Sequence, residues 1–202
     1  MKTSTEQNSQ ILKTISSIDA EIQLWDEFRS GNKTSFEKLM KTHYRNLFIY
    51  GTKFRRDHEF IKDCLQELFL ELWKNRETIG STRYVKSYLF KCVRNKVYRE
   101  LHRNRWHFQI SQVDDDYFFD VEFSIEHHLI REQTLRETAN KFSEALNKLP
   151  KRQKEIIYLR FYQDLEIPEI VGIMEINAQS VYNLLHKALN NLRDPLLAKT
   201  NY

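Results

Sequence analysis

Apolar positions recur at three- and four-residue spacing along most of the chain. Ile18, Ile22, Trp25 and Phe28 stand at i, i+4, i+7 and i+10 and predict an amphipathic helix. Arg29-Ser-Gly-Asn breaks it, and Thr34 or Ser35 is the expected N-cap of a second helix. That helix carries Phe36, Leu39, Met40, Tyr44, Leu47 and Phe48 on its inner face. A third helix follows Arg55-Arg-Asp-His, with Ile61, Cys64, Leu65, Leu68, Phe69, Leu72 and Trp73 in its apolar stripe. After a polar loop from Glu77 to Arg83, the spacing of Val85, Tyr88, Leu89, Cys92, Val93 and Val97 predicts a fourth helix from Tyr84 to about Arg103. Four such helices can enclose one small core.

Periodicity weakens between Trp106 and Arg131, then returns at Leu135, Ala139, Phe142, Ala145, Leu146 and Leu149. Pro150 suits the first turn of the next helix, where a missing N–H costs nothing. That helix buries Ile156, Ile157 and Leu159, with Phe161 as a further candidate. A short segment around Pro168–Met174, a break at Glu175–Asn177 and a last helix from Ala178 to about Arg193 read as a helix-turn-helix. The expected fold is all-α: an N-terminal helical bundle and a C-terminal helix-turn-helix domain, both small, joined by a linker.

Composition supports this class. The 202 residues suit one large or two small domains, and only 4 are Gly and 3 Pro, too few for the turns of a sandwich or barrel. No apolar run approaches a membrane span, and the opening MKTSTEQNSQ lacks a signal-peptide core. Both features, with two cysteines and no C-x-x-C pair, are those expected of a cytoplasmic protein.

Charge changes the picture more. Residues 83–105 hold eight basic side chains against the single acid Glu100, whereas residues 106–137 hold eight acids against Arg131 and Arg136. A basic helix followed at once by an acidic linker suggests a polyanionic partner, although two solvated faces would leave the same pattern. The basic stretch interleaves aromatics: Arg83, Tyr84, Tyr88, Lys91, Arg94, Asn95, Arg99 and Arg103 combine phosphate-tracking charge with faces that stack on unpaired bases. In the last helix Gln179, Ser180, Asn183 and Lys187 are placed to face a major groove. The third helix carries Asp63, Gln66, Glu67 and Glu71 as an acidic strip beside Phe69, Leu72 and Trp73, either an ordinary amphipathic helix or a docking surface with aromatic anchors.

Catalytic signals are absent from the sequence. It has no glycine-rich phosphate loop and no G-x-S-x-G elbow. His127-His128 with Asp114–Asp116 is the best metal candidate, but adjacent helical residues point about 100° apart and do not share one ion easily. No catalytic residue, metal or cofactor is expected.

The order of these parts resembles the extracytoplasmic-function group of bacterial RNA polymerase sigma factors, from about Leu24 to Leu196. Trp25-Asp-Glu-Phe-Arg-Ser-Gly-Asn-Lys-Thr-Ser-Phe-Glu-Lys-Leu is similar to the family's opening. Asp63-Cys-Leu-Gln-Glu-Leu-Phe-Leu-Glu-Leu-Trp resembles its Asp-x-x-Gln-Glu-x-Phe-x-x-x-Trp stretch, and Tyr88-Leu-Phe-Lys-Cys-Val-Arg-Asn its Trp-Leu-Tyr-x-x-x-x-Asn segment. Leu149-Pro-Lys-Arg-Gln-Lys-Glu opens the second domain as the family does, and Ser180-Val-Tyr-Asn-Leu-Leu-His-Lys-Ala-Leu closes it. Among branches, the pattern looks most like the Bacteroidota.

The resemblance implies a domain plan: an N-terminal extension (1–23), sigma region 2 (24–105), an acidic linker (106–131) and sigma region 4 (132–202). It implies that Asp63, Gln66, Glu67, Phe69 and Trp73 dock on the clamp of the beta-prime subunit of core RNA polymerase. Arg83, Tyr84, Tyr88, Lys91, Arg94, Asn95, Arg99 and Arg103, with the loop around Gly80–Arg83, would recognise and melt the minus-ten element of promoter DNA. Asn177, Gln179, Ser180, Tyr182, Asn183, His186 and Lys187 would read the minus-thirty-five element. The 26-residue linker can span up to ~85 Å, more than two turns of duplex at ~34 Å each, enough for two separate elements. A sequestering anti-sigma factor is a further expected partner. The alternative reading is a stand-alone helix-turn-helix regulator.

Four positions depart from the family pattern. Glu166 replaces the usual Ser or Thr cap, which predicts a weaker cap. Glu175 replaces the turn glycine, which predicts a changed turn. Leu184 and Tyr182 predict fewer phosphate contacts in the last helix.

Overall fold

The computed structural model describes residues 18–103, 119–121 and 133–197. Among these, every regular element is helical: α1 (18–29), α2 (Lys33–Thr52), α3 (His58–Lys74), α4 (Val85–Arg103), α5 (Gln133–Lys148), α6 (Lys151–Ile157), a π-helix (Tyr158–Tyr162), α7 (Ile167–Met174) and α8 (Ala178–Leu197). The all-α expectation holds. The described residues form two units, one of residues 18–52 and 57–103, the other of 53–56, 119–121 and 133–197. The metal candidates His127, His128 and Asp114–Asp116 lie outside the described residues, as does most of the expected linker.

In the first unit α1 ends at Arg29, and two residues on the φ of +96° at Gly31 lets the chain reverse without a Cβ penalty. The cap of α2 is Asn32 rather than Thr34 or Ser35: its Oδ1 accepts from the Ser35 N–H at 3.1 Å, and the Ser35 hydroxyl donates instead to Glu27. Asp57 caps α3 by accepting from the Phe60 N–H at 3.1 Å. Trp25, Phe28, Leu47, Tyr50, Ile61, Leu65, Phe90 and Val97 fill the core, all nearly inaccessible to solvent. Phe28 stacks on Phe36 with centroids 5.0 Å apart, and Tyr50 packs on Phe90 at 4.8 Å. Gly51 sits where three helices meet. A Cβ there would stand 2.8 Å from Ile61 Cγ2 and 3.7 Å from Val93 Cγ1.

The second unit gathers Leu146, Ile156, Leu159, Leu165, Ile170, Ile173, Val181 and Ala188 around α8. Pro150 takes the N-cap position of α6, one residue before the first turn. Asn191 donates to Gln153 Oε1 at 2.8 Å, tying α8 to α6. The apolar run after Ile157 continues as a π-helix, closed by the Gln163 N–H on the Tyr158 carbonyl at 3.0 Å. Phe161, a candidate core residue by spacing, is instead 58% exposed, and Phe142 is also exposed. Within residues 119–121, Phe119 and Val121 are buried while Asp120 faces out, 3.6 Å from Lys154.

Both unusual positions before α8 are accommodated, Glu166 by a side chain and Glu175 by its backbone. The Glu169 carboxylate reaches back to accept from the Glu166 N–H at 2.8 Å, so α7 keeps a reciprocal cap despite losing Ser or Thr. Arg160 adds an ion pair to Glu166 at 3.3 Å. Glu175 adopts φ 54°, ψ 41°, the left-handed conformation a glycine would take, so the turn keeps its geometry and bears the strain instead.

Candidate functional site

Three surfaces carry the candidate residues. On α3, Asp63, Gln66 and Glu67 are exposed along one strip. Phe69 and Trp73 are not on it. Phe69 is 5% exposed, edge-on to Phe36, and Trp73 is half-buried, 5.2 Å from Phe36 with the Arg76 guanidinium 4.9 Å over its ring. Phe69 packs in the core and Trp73 at its edge, so both rings hold the helix from within and neither stands on the exposed strip. The apolar group facing solvent is Leu70, 70% exposed, three residues beyond Glu67 and seven beyond Asp63 on the same helical face. The sequence signal for it was that spacing.

The acidic strip is partly satisfied from within. Lys96 of α4 is buried, with Nζ 2.7 Å from Glu67, 2.8 Å from Glu71 and 3.8 Å from Glu100. Burial pulls the Lys96 pKa down, but hydrogen bonds to Glu67 and Glu71 outweigh it and leave the ammonium above its ordinary 10.5. The same bond holds the Glu67 carboxyl below its ordinary 4.5. Lys96 is therefore committed to α3, and Arg103 pairs with Glu100 at 3.1 Å.

On α4, Tyr88, Lys91, Asn95 and Arg99 line one groove of about 430 Å³, walled across by Glu71 and Asn75. Burial pushes the Tyr88 phenol up to about 12, and its ring lies edge-on to Trp25 at 5.2 Å. Arg94 lies outside that lining, its guanidinium 4.8 Å over Tyr98. Arg83 and Tyr84 are exposed where the preceding loop enters α4, and Arg103 is exposed at the far end. Cys64 and Cys92 are free thiols that burial raises to about 11, so neither is a ready nucleophile at neutral pH. Among the described residues no group of His, Cys, Asp and Glu is arranged to hold a metal ion.

On α8, Gln179, Tyr182, Asn183, His186 and Lys187 are exposed at i, i+3, i+4, i+7 and i+8, one continuous face. Gln179 donates to Asn183 at 3.0 Å, which pre-orders that face. Asn177 serves as the N-cap, its Oδ1 accepting from the half-buried Ser180 N–H at 2.7 Å. A second feature of this unit has no counterpart in the sequence pattern. Phe142, Phe161, Tyr162 and Leu189 border an apolar groove of about 510 Å³ between α5, the π-helix and α8.

The described residues thus form two small helical units, one with a basic-aromatic helix and the other ending in a helix-turn-helix. Residues 39–107 match the family model for Sigma-70 region 2, and residues 139–192 match that for Sigma-70, region 4. The RNA polymerase sigma factor SigV of Bacillus subtilis (strain 168) is 26% identical over 151 residues, covering 75% of this chain and 84% of SigV. The sigma factor NccH of Alcaligenes xylosoxydans xylosoxydans is 26% identical over 161 residues, covering 78% and 84%. Among solved structures, CnrH in complex with the cytosolic domain of CnrY has a TM-score of 0.55 at 20% identity, covering 90% of this chain and 99% of that one. The sigma factor RpoE of Bartonella quintana, solved with the anti-sigma factor NepR, has a TM-score of 0.54 at 20% identity, covering 83% and 98%. The chain belongs to the sigma-70 family of RNA polymerase sigma factors, in its extracytoplasmic-function group. It is a sigma factor that directs transcription initiation. Among the described residues no helix is long and apolar enough to cross a membrane.

Proposed function

We propose that the first unit docks on core RNA polymerase through Asp63, Gln66, Glu67 and Leu70 of α3, with Phe69 and Trp73 supporting that strip from the core. The target is the clamp of the beta-prime subunit. The loop before α4 and the α4 residues Arg83, Tyr84, Tyr88, Lys91, Arg94, Asn95, Arg99 and Arg103 engage and open the minus-ten element. The α8 face of Gln179, Tyr182, Asn183, His186 and Lys187 reads the minus-thirty-five element, with Asn177 and Ser180 forming its capped start. The observation that carries this reading is the shared groove of Tyr88, Lys91, Asn95 and Arg99, which offers an aromatic face, two positive charges and an amide to an unpaired base and its phosphates. An anti-sigma factor controls access to core polymerase in this reading, a partner of the kind seen with RpoE. The protein lends specificity and strand opening to polymerase and performs no chemistry of its own.

The test is reconstitution with core polymerase on fragmented genomic DNA of the source organism, followed by sequencing of run-off transcripts. Discrete start sites sharing a two-part upstream element are expected. Core binding without discrete starts would overturn the reading. Replacing Lys91, Arg94 and Asn95 with Ala together is expected to leave core binding within twofold and abolish opening. Normal opening by that variant removes α4 from the site.

A further inference from the structure

The loop from Asn75 to Tyr84 has little structure of its own, yet it leads directly into the groove-lining helix. Asn75 O takes the N–H groups of Thr78 and Ile79 at 2.9 and 3.1 Å, and Thr82 Oγ1 accepts from the Tyr84 N–H at 3.1 Å. Between those ends, residues 79–81 are held by side chains from α1, some fifty residues earlier. The Arg29 Nε–H donates to the Ile79 carbonyl at 2.6 Å. The Trp25 indole N–H donates to the Gly80 carbonyl at 3.1 Å. The Ser81 hydroxyl donates to Asp26 Oδ1 at 3.0 Å. Asp26 also pairs with Arg29 at 3.0 Å, so the two loop-holding groups orient each other.

Carbonyls of an irregular loop need partners, and the identity of the partner sets where the loop lies. Here two successive carbonyls point at α1, and the tether extends to the groove, because buried Trp25 is also the ring against which Tyr88 rests. Gly80 itself has open space around it, so no side-chain packing of its own holds the turn. With the carbonyls turned to α1, Arg83 and Tyr84 remain exposed at the entrance to α4.

We propose that Trp25, Asp26 and Arg29 are positioning residues for minus-ten recognition: α1 is the template that fixes the 79–81 loop and Tyr88 in the register that promoter DNA meets. This rests on the assignment of that loop and α4 to the minus-ten element. None of the three residues is itself assigned to DNA or to polymerase. Their effect is on the precision of a preformed surface.

The experiment uses full-length protein with core polymerase on a promoter fragment mapped by run-off sequencing. Strand opening is followed by fluorescence of a 2-aminopurine in the minus-ten element. Each variant is measured on the native fragment, on one with a transversion in the minus-ten element, and on one with a transversion in the minus-thirty-five element. Asp26→Ala with Arg29→Ala is expected to reduce minus-ten discrimination about five- to tenfold. Core affinity and minus-thirty-five discrimination are expected to stay within twofold. Ser81→Ala, which cuts one tether from the loop side, is expected to lose about two- to threefold. Asp26→Asn, which keeps an acceptor for Ser81, is expected to restore the native ratio. Trp25→Phe keeps most of the buried ring and removes the donor, and is expected to behave like Ser81→Ala. Equal losses at both elements would mark a general structural defect and overturn the proposal, as would unchanged minus-ten discrimination. If the native protein itself ignores the minus-ten transversion, the assignment of the loop fails, and the proposal with it. That outcome is distinguishable, because it appears before any variant is made.

Discussion

Replacing Gly51 with Ala sets two physical effects against each other. Helix propensity favours Ala over Gly by up to about 1 kcal/mol, less here because Gly51 is the penultimate residue of α2. Packing opposes it. The new methyl would stand 2.8 Å from Ile61 Cγ2, where contact is optimal at about 3.5–4.0 Å. Ile61 is fully buried and its Cγ2 is fixed directly on Cβ, so it cannot swing aside as the end of a flexible chain would. Overpacking of this kind costs roughly 1–3 kcal/mol, so the net expectation is a loss of about 1–2 kcal/mol and a fall in Tm of about 5–10 °C for a unit of this size. The assay is urea unfolding followed by tryptophan fluorescence, since Trp25 and Trp73 both lie in the first unit and report it ahead of the second. Ile61→Leu removes the offending Cγ2, and the double variant Gly51→Ala/Ile61→Leu is expected to recover most of the loss. A single variant as stable as the native protein would mean that propensity wins, and the reasoning from close helix approach would be refuted.

Other expectations arise from the ion cluster, the strained turn and the α3 strip. Because Glu67 has a lowered pKa when folded, its contribution to stability is present above the ordinary value of 4.5 and is lost as pH falls below it. Lys96, raised when folded, contributes fully below 10.5 and loses that contribution as pH climbs beyond it. Urea midpoints for the first unit should decline at both ends, and Lys96→Met should flatten both declines; an unchanged pH profile in that variant would remove the cluster from the account. Glu175→Gly relieves a left-handed residue worth about 1–2 kcal/mol against a glycine entropy cost of about 0.5–1, so roughly 0.5–1 kcal/mol of stabilisation is expected from hydrogen exchange across α7 and α8; a loss of protection there contradicts it. Leu70→Asp should weaken core-polymerase binding at least tenfold with unchanged Tm. Phe69→Ala should instead cost about 3–5 kcal/mol of stability, and the reverse assignment of binding and stability losses would show the two residues misread.

The helices were legible because their apolar residues recur at helical spacing and the breaks at Arg29–Asn32, Arg55–His58 and Glu175–Asn177 carry turn or cap residues. The seat of Phe69 was legible in part: it follows Leu65 by four and precedes Leu72 by three, which places it in the core, but the wealth of large apolar residues on that helix left a docking role equally open. Caps were harder, since Asn32, Thr34 and Ser35 all satisfy the same local rule and only the geometry chooses Asn32. The reciprocal cap at Glu166 was readable from Glu169 three residues on, but a search for Ser or Thr passes over it. The α1 tether was not legible. Its donors are a buried indole and a guanidinium, its acceptors are backbone carbonyls, and no residue pattern marks which carbonyl a distant side chain will find.

The π-helix gives the second unit a property that lies in counting rather than in chemistry. Five residues from Tyr158 to Tyr162 occupy a wider turn than an α-helix allows, and Phe161 and Tyr162 stand at the edge of the apolar groove as a result. Each helical residue turns the chain by about 100°, so deleting any one of the five would restore ordinary winding and rotate the residues beyond it, whatever side chains remained. The groove is thus written in the length of the chain as well as in its letters. A one-codon deletion there is a larger event than most substitutions of its lining, and two relatives with the same aromatic residues but one residue fewer would present different surfaces.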